Sequence, residues 1–175
     1  MSNYVVADPF VGAPTPVSGT DTVQRWPLGL EVRAVDAGSA SVQLGGAVFV
    51  YCQGSNVASG GQFVHIINNS AVLLASGNSA SFYPIGVAAG AMTATNVYGW
   101  VQVQGLCDYG RVSNSDGAAG VRLALASTAG QIGTVTALGS RIQGIIAPVS
   151  WTSTQSASIT VQLNRPFVIG VTASN

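Results

Sequence analysis

Glycine punctuates this sequence 22 times in 175 residues, and the apolar runs it brackets are short. No stretch keeps a helical period of 3.6 for ten residues, whereas many keep a period of 2 for five or six. Residues 45–54, "GGAVFVYCQG", show the pattern: two glycines, six residues of strand character, then Gln53 and Gly54. A second stretch, "YGWVQVQG" at 98–105, has the same character and also ends on Gln-Gly. Such runs, bounded by turn residues, read as β-strands.

The rest of the chain reads the same way. "LGLEVRAVDA" alternates Leu30, Val32 and Ala34 with Glu31 and Arg33 on the other face, as a half-buried strand does. "GQFVHIIN" and "AVLLAS", joined by a polar pair at Asn69-Ser70 after Asn68, read as a hairpin. "VRLALAS", "QIGTVTAL", "RIQGIIAPV" and "SASITVQLNRPFVIG" supply further short strands. Pro166 argues against continuing the last of these as a central strand. The alanines of 86–95, "GVAAGAMTAT", leave room for one short helical turn. The two Gln-Gly strands each lead through a loop to a glycine-led strand, a weak internal two-fold repeat. The expectation is an all-β domain over residues 28–175, a small barrel or sandwich of short strands.

Residues 1–27 differ. Pro9, Pro14, Pro16 and Pro27 stiffen them, and Tyr4, Phe10 and Trp26 are spaced through them. A disordered tail has few aromatics. Two readings stand side by side: an extended Pro/Gly-rich arm whose aromatics anchor on a neighbouring subunit or another surface, and a lead-in packed on its own domain.

Charge narrows the function classes. Only 7% of residues are charged, the formal net charge is zero, and there is no lysine, against roughly 25% charged in an ordinary soluble domain. Nucleic acid and acidic membrane surfaces are not the expected partners. No apolar run reaches about 18 residues, so no membrane span is expected. A surface this poor in charge invites assembly. Residues 1–16 have neither a basic start nor a long apolar run, so a cytosolic place of synthesis is expected.

The search for chemistry yields little. His65 is the single histidine, and Cys52 and Cys107 are the two cysteines. Cys52, His65 and an aspartate such as Asp108 can be imagined as a nucleophilic set, but no nucleophile-elbow pattern accompanies Cys52, and a lone histidine in a β domain reads as a structural residue. Both cysteines read as small buried thiols. One histidine and two separated cysteines make no zinc set, and the acids stand isolated. A phosphate-binding loop needs a lysine the chain lacks. No catalytic residue, metal or cofactor is expected. Tyr98, Trp100 and Tyr109, with Arg111, Gln102 and Gln104 nearby, suit the stacking and amide contacts of a glycan site. Against that stands a reading in which Trp100 fills the core and Tyr98 flanks it.

The motifs fall in an order of their own: "PLGLEVRAVD" (27–36), "GGAVFVYCQG" (45–54), "IGVAAGAMTATNVYGWVQVQG" (85–105), "GVRLAL" with "STAGQIGTV" (127–135), and "VQLNRPFV" (161–168). This order resembles the head decoration or cement proteins of tailed bacteriophages, small structural proteins encoded beside the major capsid protein. The resemblance covers Pro27 to Val168 and includes no catalytic motif. Two departures stand out: the long proline-rich lead, and Val48 where an acidic residue is usual. The resemblance implies an all-β, non-enzymatic protein that assembles, often as a homotrimer, on the outside of a phage head. Its partners would be the major capsid protein and itself. Its place would be the virion, after synthesis in the host bacterial cytoplasm. A head-fibre or adhesin-like glycan-binding domain is the alternative.

Overall fold

A computed structural model describes residues 4–7, 17–37, 45–75, 83–113, 116–134, 141–152 and 158–169. Among these residues there is no helix, and twelve strands join one mixed sheet. They are β1 (Tyr4–Val6), β2 (Thr20–Asp21), β3 (Glu31–Asp36), β4 (Gly46–Ser55), β5 (Phe63–Ile67), β6 (Ser70–Leu73), β7 (Ile85–Ala88), β8 (Tyr98–Arg111), β9 (Leu123–Leu125), β10 (Ile132–Thr134), β11 (Arg141–Ile146) and β12 (Ser158–Ile169). The all-β expectation holds. Residues 86–95 form no helical turn: Gly86–Ala88 belong to β7, and Met92 bridges Val57.

The two Gln-Gly strands are neighbours. β4 and β8 pair antiparallel, with Tyr51 opposite Trp100 and Cys52 opposite Gly99. In neither does the Gln-Gly pair stop the strand. β4 runs on to Ser55, and β8 passes through Gly105, at φ 98°, and continues to Arg111. Gly105 takes a left-handed conformation that an L side chain resists. A Cβ there would also lie 2.7 Å from the Gly46 carbonyl oxygen. The glycine therefore redirects a long strand instead of ending a short one.

That bend lets β8 serve two rings. Pairings β4–β8, β8–β7, β7–β5, β5–β6 and β6–β4 close a five-stranded barrel. The β6–β4 pair is parallel, the others antiparallel. Past the bend, β8 pairs with β12, β12 with β11, β11 with β9 and β9 with β10, and a parallel bridge from Ile132 to Val112 completes a looser second ring.

Three cores follow from the alternation of side chains. Val50, Cys52, Val64, Ala71, Ala88, Val101 and Val103 fill the barrel interior. A five-stranded barrel is narrow, and small residues suit it: a Cβ on Gly86 would meet Val101 at 2.4 Å. The outward side chains Phe63, Ile85 and Val87 join Leu123, Ile132, Leu163 and Trp151 in a second core. Phe49, Tyr51 and Trp100 point the other way and join Tyr4, Val6, Val32 and Ala34 in a third. The central strands are thus buried on both faces, which explains their near-continuous apolar runs.

The hairpin forms one residue earlier than the sequence suggests. Asn68 and Asn69 are the turn, at φ 49° and 63°, and Ser70 already pairs with Ile67. Two adjacent positive φ values mark the primed turn that matches strand twist, and asparagine tolerates that region best after glycine.

Pro166 does not end β12. The strand leaves β8 at Asn164, shifts register against β11 between Gln143 and Ile145, and runs on to Ile169. A bulge absorbs the missing proline donor. Arg165 sits at φ 45° and Gly144 at φ 75° beside it.

The described parts of the lead pack on their own domain. Tyr4–Val6 pairs with β3, and Val17 donates its N–H to the Tyr4 carbonyl at 3.1 Å. These residues follow the second of the two readings, a lead-in packed on its own domain. Phe10 lies outside the described residues.

Candidate functional site

The two ends of the barrel differ. At one end Met92 acts as a plug: it is fully buried, bridges Val57 in both directions, and packs where a Cβ on Gly54 would come within 2.5 Å of it. At the other end nothing equivalent stands among the described residues. Val50, Ile66 and Val103 face an open mouth of about 370 Å³, rimmed by Gly29, Asn69, Pro84, Pro166 and Phe167. Barrel mouths are places where small groups bind.

One side of the mouth is extended into a lip. The β3–β4 pair runs past the barrel, and its inner face continues the barrel's inner face. Cross-strand neighbours share a face, so Glu31 lies with Val50 and Arg33 with Val48. A groove of about 510 Å³ lies along this lip, bounded by Glu31, Arg33, Val35, Val48, Gln104 and Arg165. Glu31 and Arg165 line both spaces, so the mouth and the groove are contiguous.

An ion pair spans the junction. Arg165 donates from Nη1 to Glu31 Oε1 and from Nη2 to Oε2, both at 2.8 Å. The bulge of β12 lifts Arg165 into this position. The hydrogen bonds from Arg165 hold the Glu31 carboxyl below its ordinary range, and the same bonds raise the guanidinium. Arg33 differs: it is exposed on the lip, and among the described residues its side chain makes no ion pair or hydrogen bond. The cleft thus offers an apolar hole, a neutralised ion pair and one unneutralised cation.

The residues singled out from the sequence lie elsewhere. Trp100 is buried in the third core against Tyr51 (5.0 Å between ring centroids) and Trp26 (5.3 Å). Tyr98 stacks on Tyr51 at its border. Tyr109 is buried in the second core, where its hydroxyl donates to Gln102 Oε1 at 2.9 Å. Burial holds its phenol well above the ordinary range. These three rings do not share a face open to a sugar: Trp100 fills the core and Tyr98 flanks it, and the alternative glycan arrangement is not formed. Tyr4 is 1% exposed and donates its hydroxyl to the Leu106 carbonyl at 2.7 Å, so it is an internal anchor and not an outward contact. Trp26 is half-buried against Tyr51 and Trp100.

Cys52 and His65 are not brought together. Cys52 points into the barrel, while His65 points outward beside Tyr83. Burial pushes both cysteine thiols up to about 12, which leaves no thiolate near neutral pH. Burial also lowers the His65 imidazole below its ordinary value, favouring the neutral ring. Among the described residues no three His, Cys, Asp or Glu side chains gather as a metal group, and no helix is long and apolar enough to cross a membrane.

The cleft itself was not singled out from the sequence. Its only local signal is "RPF" at 165–167, a charged residue and a proline inside an apolar run. No protein-family model, curated protein or solved structure matches the chain.

Proposed function

We propose that this chain is a virion structural protein that binds the outer surface of a phage head and stabilises it by bridging capsid subunits, as a homotrimer. The observation that carries the reading is the order of motifs from Pro27 to Val168 and its resemblance to head decoration proteins. The fold is compatible with it: a charge-poor all-β body whose thiols and imidazole are withdrawn into cores. With Tyr4 and Trp26 packed on their own domain, attachment falls to the exposed residues of the sheet and not to these two aromatics.

Many weak contacts repeated by symmetry raise the stability of the assembly that they bind, because they bind the intact shell and not its dispersed subunits. The test is to add purified protein to heads of the same phage prepared without it. Binding and a higher rupture temperature are expected. Heads that neither retain the protein nor change their rupture temperature would end the proposal. Native mass measurement of the free protein checks the trimer.

A further inference from the structure

We infer that the barrel mouth and the lip beside it form one docking cleft for an extended, acidic segment of a partner protein. Such a segment would place a bulky apolar side chain in the mouth and a carboxylate against Arg33. Five observations on the molecule lead there. The mouth is lined by barrel-core residues Val50, Ile66 and Val103 and holds about 370 Å³, at the small end of ligand pockets and suited to a side chain more than a cofactor. The opposite barrel end is plugged by Met92, so the opening is particular to this end.

The groove along the lip continues from the mouth as a half-apolar strip over Val35, Val48 and Gln104, the form that an extended backbone covers. Charge then selects the occupant. Glu31 is neutralised by two hydrogen bonds from Arg165, while Arg33, two residues along the same strand face, has no counter-ion among the described residues. The strip therefore carries one unneutralised positive charge, roughly 7 Å along the strand from the Glu31–Arg165 pair at the rim of the mouth. A single cation is too little for a nucleic-acid backbone and is matched by one carboxylate two or three residues from the apolar anchor. Arg165, at φ 45° ahead of a proline, is held at the junction by the bulge in β12, so the rim is fixed before a partner arrives.

The cleft would hold such a segment whatever larger body carries it, and the experiment separates the two questions. A random library of 12-residue peptides is selected on the full chain. Enriched peptides are expected to share a bulky apolar residue with Asp or Glu two or three positions away. Fluorescence anisotropy of a selected peptide is expected to show at least tenfold weaker binding to Arg33→Glu and to Ile66→Trp, and unchanged binding to Arg122→Glu. Absence of enrichment, a consensus without an acid, or equal binding to Arg33→Glu overturns the cleft. Because Arg33 is exposed, that variant keeps the test valid if Ile66→Trp fails to fold. Head stabilisation that survives Arg33→Glu overturns the cleft as the capsid contact and leaves the capsid reading standing. Peptide binding without head binding does the reverse.

Discussion

At the scale of single residues, two glycines separate steric contact from backbone strain. Gly105 and Gly120 both have positive φ, at 98° and 75°. A Cβ on Gly105 would press on Gly46 and Ala47, whereas one on Gly120 would meet nothing within 4 Å. Gly120→Ala should therefore cost only the left-handed penalty of about 1–2 kcal/mol. Gly105→Ala should cost more, with the excess read from the urea midpoint; equal losses would contradict the packing described. The two cysteines give a pH prediction. Their ordinary value is 9.0 and their folded value about 12. Above pH 9 the unfolded chain loses thiol protons that the folded chain keeps, so unfolding releases protons and alkali favours it. The thiol contribution to stability should be intact below about pH 9 and decline towards pH 12, and a thiol-reactive disulfide reagent should modify neither cysteine at pH 8 until the chain unfolds. Rapid labelling of the native protein would contradict their burial. The sequence already marked both as buried thiols, because each stands in or beside an apolar run. It did not distinguish the destinations of Tyr4 and Trp26: an aromatic in a proline-rich lead looks the same whether its pocket is on its own domain or on another.

At the scale of elements, strands were legible and their partners were not. β3 declares its inner and outer faces by alternation, and β5–β6 declare a hairpin by asparagines between apolar runs. β4 and β8 look alike in sequence, yet nothing local says that they pair across about fifty residues or that β8 continues through its glycine. Pro166 misleads for the same reason: a missing donor excludes a regular ladder, and only the opposing strand reveals the bulge that accommodates it. The candidate cleft was illegible because it is the unplugged end of a closed ring, and ring closure is a property of pairings. β12 offers an element-scale test. Arg165→Ala removes the Glu31 pair and keeps the left-handed backbone. Arg165→Gly removes the pair and relieves the backbone. Both side chains are about half exposed, so the pair contributes about 1 kcal/mol or less. The glycine variant should be the more stable of the two, by about 1 kcal/mol. If alanine is the more stable, the strain assigned to this bulge is absent.

At the scale of the whole molecule, β8 makes the cores interdependent. Trp26 and Trp100 report on the core under the lead, and Trp151 reports on the core of the second ring. Variants carrying Phe at Trp26 and Trp100, or at Trp151 alone, should show the same urea midpoint by fluorescence once each is corrected for its own loss of stability against circular dichroism. Separate midpoints by the two probes in one variant would mean that the rings unfold independently. The sharing of β8 also sets a schedule. A chain leaves the ribosome from its N-terminal end at roughly 5–20 residues per second. The barrel has every strand it needs once Arg111 has emerged, whereas the second ring lacks β12 until Ile169 does. For the several seconds between, the finished barrel carries the outer faces of Phe63, Ile85 and Val87 bare. A nascent chain of this protein is thus most prone to clump not while the barrel strands are emerging but in the interval between the emergence of Arg111 and that of Ile169.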